Sequence, residues 1–412
     1  MKINADRLLN DLKQLRSFGA TGPGVVRLAL SPVDMQSRRW LAERMTDAGL
    51  NAVIDGVGTV FGRSSKSGPA LLIGSHTDTQ PTGGWLDGAL GVIYGIEIAR
   101  ALAESDATRH LAVDVASWMD EEGTFSSFLG SRSFVGEPVD EPILNARDRE
   151  GLLLRDALAN AGLDGTPRVR LDKSRHKAYM EPHIEQGGRL EAAGKSIGVV
   201  TTIVGIRELR LRFKGQRNHA GTTPMSIRRD AGAALVSFIA RMDEAFTRLA
   251  DADTVWTVGR IEFDPGSFSV VPGQAEMCLQ FRDANALRLN AMESALATLV
   301  SEFNAVHKVT VEIIACDQPE EPVVMDSALQ QHLASAAGLL APGQWERMPS
   351  GASHDAQVLA HHLPACMLFV PSIGGVSHDF IEDTAEEHIV LGCQVAANAA
   401  VAILQSLWER QS

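Results

Sequence analysis

The sequence predicts an α/β fold in which a mainly parallel central sheet, flanked by helices, is interrupted by an inserted α+β domain. Apolar segments such as ALLIGSH, LAVDVASWMDEE and PACMLFVPSIGG end in Gly, Ser or charged residues and alternate with helical patterns. This alternation is typical of parallel strands that are covered on both faces. The chain has 412 residues, of which 45% are hydrophobic, so it is long enough for two domains with separate cores.

The elements of the inserted domain follow a change of pattern near Gly205. RELRLRFKG alternates apolar with charged residues, which predicts a strand with one solvated face. A helix over about 229–249, strands TVWTVGRIEF and AEMCLQFRD, a helix over about 286–303 and strand KVTVEIIAC come next. The β-α-β-β-α-β order predicts a split βαβ sandwich. We therefore expect one domain from residues 1–205 and 318–412, and an inserted domain over 206–317.

Charge and composition exclude several classes of function. The formal net charge of -13 argues against a nucleic-acid binder and favours a small-molecule substrate. The N-terminal segment MKINADRLLNDLKQLRSFG has the pattern of an amphipathic helix rather than of a signal peptide. From the sequence we expect no segment that is long and apolar enough to span a bilayer. The four cysteines are widely spaced, as expected for buried thiols in a reducing compartment: Cys278, Cys316, Cys366 and Cys393. These features predict a cytoplasmic protein without a membrane partner.

Imidazole and carboxylate side chains cluster where the predicted strands end. In open α/β sheets this edge is where ligands bind. Single residues of this kind have ordinary explanations, such as a structural histidine or a solvated DEEG turn, but four strand ends of this type together favour a metal site. The donors include no thiolate and suit Zn, Mn, Co or Ni better than calcium. The residues are His76, Asp78, Asp87, Glu121, Glu122, His183 and His378.

The loop GSHTDTQPTGGWLDGALG places the first of these donors. Its glycines allow a tight turn that returns Asp87 toward His76. One carboxylate can bridge two cations. Glu121 and Glu122 are adjacent at a strand end and point different ways, so one can be a ligand and the other an acid or base.

Motifs along nearly the whole chain resemble those of one enzyme family. GSHTDT with LDGALGV, DEEG, MEPHIEQG, NHAGTTPM, GRIEF to VPG, SGASHDA and SIGGVSH are similar, in order, to motifs of the M20 metallohydrolases. The resemblance is to the branch of N-carbamoyl-L-amino-acid hydrolases, β-ureidopropionases and allantoate amidohydrolases. It implies a zinc-exopeptidase-like catalytic domain with an inserted ferredoxin-like lid and dimerisation domain.

The resemblance also implies two divalent ions per subunit. One ion would be held by His76, Asp87 and His183, and the other by Asp87, Glu122 and His378. Glu121 would be the general base, and the carboxylate of Asp78 would orient His76.

Further residues would contact the substrate. His219 would polarise the scissile carbonyl in the partner subunit of a homodimer, although it also suits a turn cap. Gln186, Arg282 and the backbone of Gly351 would grip a substrate carboxylate, with Ser269 nearby. Arg282 on its own equally suits a solvated strand end.

Four departures from the family pattern leave the substrate open. Ser269 stands where relatives usually have Asn, Ser353 where Gly is typical, and Phe380 where Pro is usual. The segment TFSSFL after DEEG looks short and lacks the customary Arg-Phe pair. None of these changes falls on an implied metal ligand or on Glu121, but lost polar contacts change selectivity.

The expected function is therefore metal-dependent hydrolysis of a linear, non-peptide C–N bond in a small N-carbamoyl or N-acyl amino acid. Phe125, Phe128 and Phe268 favour a larger apolar substrate group. An aminoacylase or dipeptidase of the same superfamily would share the metals and differ in the pocket. A non-catalytic metal-binding or ligand-binding relative would not need Glu121. A serine hydrolase is a weaker alternative, because GASHD and GVSHD lack the Gly-x-Ser-x-Gly elbow.

Overall fold

A computed structural model of the chain describes residues 1–316 and 318–409. The helices are α1 (Ala5–Ser17), α2 (Pro32–Asp47), α3 (Ala89–Ala103), α4 (Leu129–Val135), α5 (Glu141–Leu144), α6 (Leu154–Asn160), α7 (Arg189–Ala192), α8 (Ala231–Thr247), α9 (Ala286–Val306), α10 (Ser327–Leu340), α11 (Asp355–Ala360) and α12 (Glu386–Glu409). The strands are β1 (Ala20–Thr21), β2 (Gly24–Val25), β3 (Leu50–Ile54), β4 (Val60–Ser64), β5 (Ala70–His76), β6 (Ala112–Trp118), β7 (His176–Ile184), β8 (Ile197–Ile203), β9 (Gly205–Lys214), β10 (Asn218–His219), β11 (Val255–Asp264), β12 (Val270–Val271), β13 (Gln274–Asp283), β14 (Thr310–Cys316), β15 (Val323–Val324), β16 (Trp345–Ser350) and β17 (Ala365–Val370).

The chain divides into two compact units. The first comprises Met1–Thr201 and the described residues from Val324 onward, and the second Thr202–Val323. These limits differ by a few residues from the domain limits predicted from the sequence. Residue 317, where the predicted insertion ends, lies outside the described residues. The roles of catalytic and lid domain remain predictions.

The central sheet of the first unit is mixed. Its strand order is β15-β8-β17-β7-β5-β6-β4-β3, and β16 pairs with β8. The inner strands β17, β7, β5 and β6 are parallel, as predicted. The outer pairs β3–β4, β4–β6 and β8–β17 are antiparallel. A short connection between β3 and β4 allows only antiparallel pairing, since parallel strands need a long crossover.

The strand register brings the polar strand ends to one edge. His76 pairs with Trp118 at the ends of β5 and β6, and His183 of β7 pairs with Phe369 of β17. Every residue of β5 and β6 is buried, because helices such as α3 cover the sheet. Side chains that follow these strands therefore meet at a common, largely enclosed edge.

Helix α12 corrects one expectation from the sequence. It has the length and hydropathy of a membrane span, and 56% of its most apolar window is buried in the protein. Ile389, Val395, Ile403 and Leu404 belong to the core of the first unit. Such burial is typical of a helix that packs in the core of a protein.

The second unit has its own sheet and core. Its four strands have the order β11-β13-β9-β14 and are antiparallel, with α8 and α9 supplying apolar side chains to a shared cluster. The β-α-β-β-α-β order predicted for this segment is observed for β9, α8, β11, β13, α9 and β14. The short strands β10 and β12, which were not predicted, pair with each other in a separate ribbon. Cys366 and Cys393 are buried and Cys278 is half-buried, all three as free thiols, while the side chain of Cys316 lies outside the described residues.

Candidate metal centre

The loop between β5 and α3 positions His76 and Asp87. Gly88 precedes α3 with φ +63°, a conformation that only glycine adopts at little cost. A Cβ on Gly88 would lie 2.4 Å from Cδ2 of His76. The glycine thus allows the chain to pass directly over the imidazole and return Asp87 to it, as the sequence predicted for this loop.

The first donor group consists of His76, Asp87 and His183, which are all buried. Nε2 of His183 lies 3.3 Å from Oδ1 of Asp87, and Nε2 of His76 lies 3.8 Å from the same oxygen. The Nδ1 atoms of His76 and His183 face the carbonyl oxygens of Asp78 and Ile184 at 2.9 and 3.0 Å. Nδ1 therefore carries the proton in the neutral rings, and Nε2 of each ring is left as an acceptor. In His183 this nitrogen accepts the backbone N–H of Gly88 at 3.2 Å.

The second donor group consists of Asp87, Glu122 and His378. Nε2 of His378 lies 3.7 Å from Oδ2 of Asp87 and 4.0 Å from Oε2 of Glu122. The two oxygens of Asp87 thus face different groups: Oδ1 faces His76 and His183, and Oδ2 faces His378. Asp87 therefore offers one carboxylate oxygen to each donor group.

Burial sets the protonation of these residues. It lowers the pKa of His76 and of His183 to about 3, so both rings are neutral and each can offer a nitrogen to a metal ion. Burial, reinforced by Glu122, raises the pKa of Asp87 well above its usual range, and burial raises that of Glu122 to about 7. Carboxylates gathered without a cation are costly to ionise. Divalent ions would remove that cost, so the residues present fit metals of the Zn, Mn, Co or Ni type.

Glu121 belongs to neither donor group. Its Oε2 lies 3.6 Å from Nε2 of His76, and its side chain is 9% exposed. Burial and then the charge of Glu122 raise its pKa well above the usual range. A carboxylate beside the donors, but outside both groups, is placed to exchange a proton with a molecule bound there.

Asp78 contacts His76 differently from the sequence expectation. The carbonyl oxygen of Asp78, and not its carboxylate, lies within hydrogen-bond distance of Nδ1, since Oδ1 is 4.0 Å away. Oδ2 instead accepts the backbone N–H of Glu122 at 3.2 Å. Asp78 therefore orients the imidazole through its backbone and the Glu121–Glu122 loop through its carboxylate.

Sequence reasoning missed Gln80 and Glu382, two side chains that hold metal-centre residues. The amide of Gln80 donates from Nε2 to Oε2 of Glu122 at 2.7 Å, and its backbone N–H donates to Oε1 at 3.2 Å. Glu382 accepts the backbone N–H of His378 at 3.2 Å. Gln80 lies inside the GSHTDTQP motif, and Glu382 lies four residues after His378. Their closeness in sequence to a candidate metal ligand is the feature from which both residues could have been predicted.

Arg38 was also missed, and no motif marked it. Its side chain is fully buried and donates to Asp34 at 2.9 Å and to the carbonyl of Trp118 at 3.2 Å. Nη2 lies 3.6 Å from Oδ1 of Asp78. Arg38 thus ties the end of β6 to the loop after β5, from 80 residues away in sequence.

Gln186 and Gly351 are the substrate candidates of the first unit. Nε2 of Gln186 lies 3.2 Å from Oδ1 of Asp87 and 3.4 Å from Nε2 of His378, so the amide reaches the metal centre itself. Gln186 and His378 both have positive φ, 57° and 54°, and such strain concentrates at functional sites. Gly351 is exposed in the segment after β16.

The remaining candidates, His219, Ser269 and Arg282, belong to the second unit. His219 pairs with Val270 in the β10–β12 ribbon, beside Ser269. Nδ1 of His219 accepts the N–H groups of Gly221 and Thr222 at 3.0 and 3.1 Å, so the turn-cap role occurs. These bonds place the proton of the neutral ring on Nε2.

Arg282 lies on β13, paired with Val255 and Ile206. Its Nε donates to Oε1 of Gln280 at 2.8 Å. Burial lowers its pKa without removing the charge. The guanidinium is therefore oriented by a neighbour on the same face of the sheet.

Comparison with known proteins gives long matches. The chain is 35% identical over 406 residues to an N-carbamoyl-L-amino acid amidohydrolase of Geobacillus stearothermophilus, covering 95% of this chain and 97% of that protein. It is 32% identical to an allantoate amidohydrolase of Escherichia coli strain K12, covering 97% of each. A solved amidase of the hydantoinase/carbamoylase family from Burkholderia phymatum has 74% identity and a TM-score of 0.95, with 98% of this chain and 99% of that chain covered. Residues 72–402 match the family described as Peptidase family M20/M25/M40, and the protein belongs to this family, as its motifs predicted.

Proposed function

We propose that this protein is a metal-dependent amidohydrolase that cleaves a linear, non-peptide C–N bond in a small N-carbamoyl or N-acyl amino acid. The observation that carries the proposal is Asp87 facing two donor groups while Glu121 stands outside both. The names of the similar amidohydrolases support the choice of bond. We further propose two divalent ions per subunit, chosen among Zn, Mn, Co and Ni.

Bound ions would polarise the scissile carbonyl and lower the pKa of a water molecule. Glu121 accepts the proton of the attacking water as the new C–O bond forms. It passes this proton to the nitrogen as the C–N bond breaks, so the amine leaves neutral. Gln80, Asp78 and Glu382 hold Glu122, the Glu121–Glu122 loop and His378 during these transfers.

Substrate contacts are part of the proposal. Nε2–H of His219 is suited to donate to the carbonyl oxygen as negative charge develops. Arg282, with Gln186, Ser269 and Gly351, would bind a substrate carboxylate, since a planar guanidinium matches that group.

A homodimer formed through the second unit would bring His219 to the neighbouring subunit's substrate. Strand β11 supports this, because it is an edge strand whose Val255, Ile261 and Phe263 are exposed. A cytoplasmic location is proposed as well, since the free thiols of Cys366 and Cys393 fit a reducing compartment.

Glu121→Gln tests the assignment of the base. Because Glu121 belongs to neither donor group, we expect metal content to be unchanged and kcat to fall by about 10²- to 10⁴-fold. Glu244→Gln, on the exposed face of α8, is the matched control and should retain full turnover. Unchanged kcat in Glu121→Gln would show that another group is the base.

A chelator and a substrate panel test the reaction class. Activity should be lost on chelation and restored by Mn, Co or Zn, whereas a serine hydrolase would be unaffected. The panel contains N-carbamoyl-alanine, allantoate, an N-acyl aromatic amino acid and a dipeptide. Release of ammonia supports a carbamoyl or ureido substrate, release of a carboxylate alone indicates an aminoacylase, and cleavage of the dipeptide alone contradicts the proposal.

A further inference from the structure

An apolar cavity of about 480 Å³ lies in the first unit, outside the metal centre. This volume is within the range of small-molecule sites, about 300–1,000 Å³. Its apolar walls come from the loop before α2 and its first turns, from the segment after Glu122 and from the segments around α6: Leu28, Leu30, Met35, Phe125, Leu152 and Ala161. Its polar lining includes Arg39, Asp148, Glu150 and Asn160. Leu30 and Met35 belong to an apolar cluster separate from the main core.

A second, smaller cavity lies beside this one. It measures about 250 Å³ and is lined by Gln80 and Glu122. The two cavities are neighbours, because Leu28, Thr124, Asp148 and Glu150 line both. The apolar cavity is therefore adjacent to a space that reaches one of the candidate metal ligands.

One wall of the apolar cavity is bound to the loop that carries Glu121, and the other is linked to the end of β6, which precedes this loop. On one side, Asp120 accepts the N–H groups of Thr124 and Phe125 at 2.6 and 2.9 Å. On the other side, the N–H of Leu30 donates to Asp34 at 2.9 Å, and Asp34 is held by Arg38, which binds Trp118 at the end of β6.

These bonds keep the cavity in place relative to the proposed base. Leu30 keeps a left-handed backbone, φ 61°, which persists only where surrounding contacts hold it. A cavity that is held open in this way needs little reorganisation to bind a ligand.

We propose that the apolar cavity is a substrate subsite that binds a neutral apolar group about the size of an aromatic ring. This inference rests on the proposed function, because it assigns to the substrate a part that enters beside Glu122. An apolar occupant is favoured because most of the lining residues are apolar and offer it area to bury. The group is either the amino-acid side chain or the acyl substituent, and matched substrates distinguish the two.

Ala161→Leu is the test variant, because it fills the cavity. Ala161 is half-buried and follows α6 with helical φ and ψ of -76° and -7°, so leucine fits the backbone. Ala159→Leu adds the same side chain at an exposed position of α6 that does not line the cavity. The substrates are N-carbamoyl-phenylalanine against N-carbamoyl-alanine, and N-benzoylglycine against N-acetylglycine.

Wild type and Ala159→Leu should prefer the aromatic member of one pair by about 10- to 150-fold in kcat/KM, as burial of an aromatic group predicts. Ala161→Leu should lose this preference. The pair that responds identifies the side of the scissile bond from which the group enters. No preference in either pair, or an equal preference in all three proteins, would overturn the proposal.

A binding experiment decides the subsite even if none of these compounds is cleaved. Saturation-transfer NMR with 3-phenylpropionamide on the chelated protein should show binding to wild type and Ala159→Leu, and none to Ala161→Leu. Equal binding to all three proteins overturns the subsite. Binding as expected without cleavage of any compound contradicts the proposed function and leaves the subsite supported.

Discussion

Asp114→Asn is expected to destabilise the protein without changing turnover per folded molecule. Asp114 is buried near the start of β6, at the end of the strand opposite to the metal centre. Its carboxylate accepts Nε and Nη2 of Arg175 at 2.7 and 2.8 Å, the N–H of Ser64 at 2.7 Å and Nε2 of His176 at 3.1 Å. One side chain thus joins β4, β6 and the beginning of β7.

The size of the effect follows from these four bonds. In either orientation, the asparagine amide would turn an NH₂ group toward two donors and leave the buried guanidinium of Arg175 without the carboxylate that contacts it. Breaking a buried ion pair from one side costs about 3–5 kcal/mol. Arg175 keeps hydrogen bonds to the carbonyls of Lys66 and Ser64, so we expect about 3 kcal/mol, the lower end of this range.

The effect depends on pH in a defined direction. Burial raises the pKa of Asp114, but hydrogen bonds from Arg175, His176 and Ser64 outweigh burial and hold the pKa below its usual value. The pKa of Asp114 is thus lower in the folded protein than in the unfolded chain, where it is about 3.9. Ionised Asp114 therefore stabilises the fold at pH values above about 3.9, and this stabilisation is lost as the pH falls through the pKa of the folded state. The difference between wild type and Asp114→Asn should be constant above about pH 5 and shrink below about pH 4.

Urea unfolding followed by circular dichroism measures the difference. With a slope of about 3 kcal/mol per M, the midpoint should fall by about 1 M. Asp106→Asn is the control, because Asp106 is 92% exposed in its pair with Arg109 and should leave the midpoint unchanged. Equal midpoints for Asp114→Asn and Asp106→Asn, or a difference that grows at low pH, would refute the reasoning.

Two further predictions concern the metal centre. Gln80→Met removes the amide that holds Glu122. It should weaken Mn²⁺ binding by about 10- to 100-fold in calorimetric titration of metal-free protein. The exposed Gln405→Met is the control, and equal Mn²⁺ affinities of the two variants would argue against a positioning role for Gln80. Gly88→Ala should reduce metal bound per subunit, measured by elemental analysis, because its Cβ would meet His76 at 2.4 Å. Gly194→Ala has a similar φ of +62° with nothing within 4 Å, so metal loss in both variants would point to backbone strain rather than to collision with His76.

Patterns in the sequence anticipated much of the fold. Alternating residues in RELRLRFKG predicted β9, and apolar runs ending in polar residues predicted β5 and β6. These patterns work because a side chain's preference for core or water is local and repeats with the period of the element. The antiparallel outer strands were not predicted, since pairing direction depends on which distant segments meet.

The candidate donors were predicted because histidine and carboxylate chemistry is visible residue by residue. Their supports were not, because hydrogen bonds such as Arg38 to Trp118 join segments that are distant in sequence. Asp78 shows the same limit: residue identity suggested a carboxylate contact, but the backbone turn presents its carbonyl to His76.

The sequence by itself determined the family, the α/β fold class and the identity of the candidate metal donors, because composition, periodicity and motif residues are properties of the chain alone. Only the tertiary structure decided that Asp87 faces two donor groups, that Gln80 and Arg38 support them, and that Glu122 and Ala161 line neighbouring cavities. Distances of a few ångströms between remote segments are set by packing of the whole core, and no local stretch of sequence encodes them.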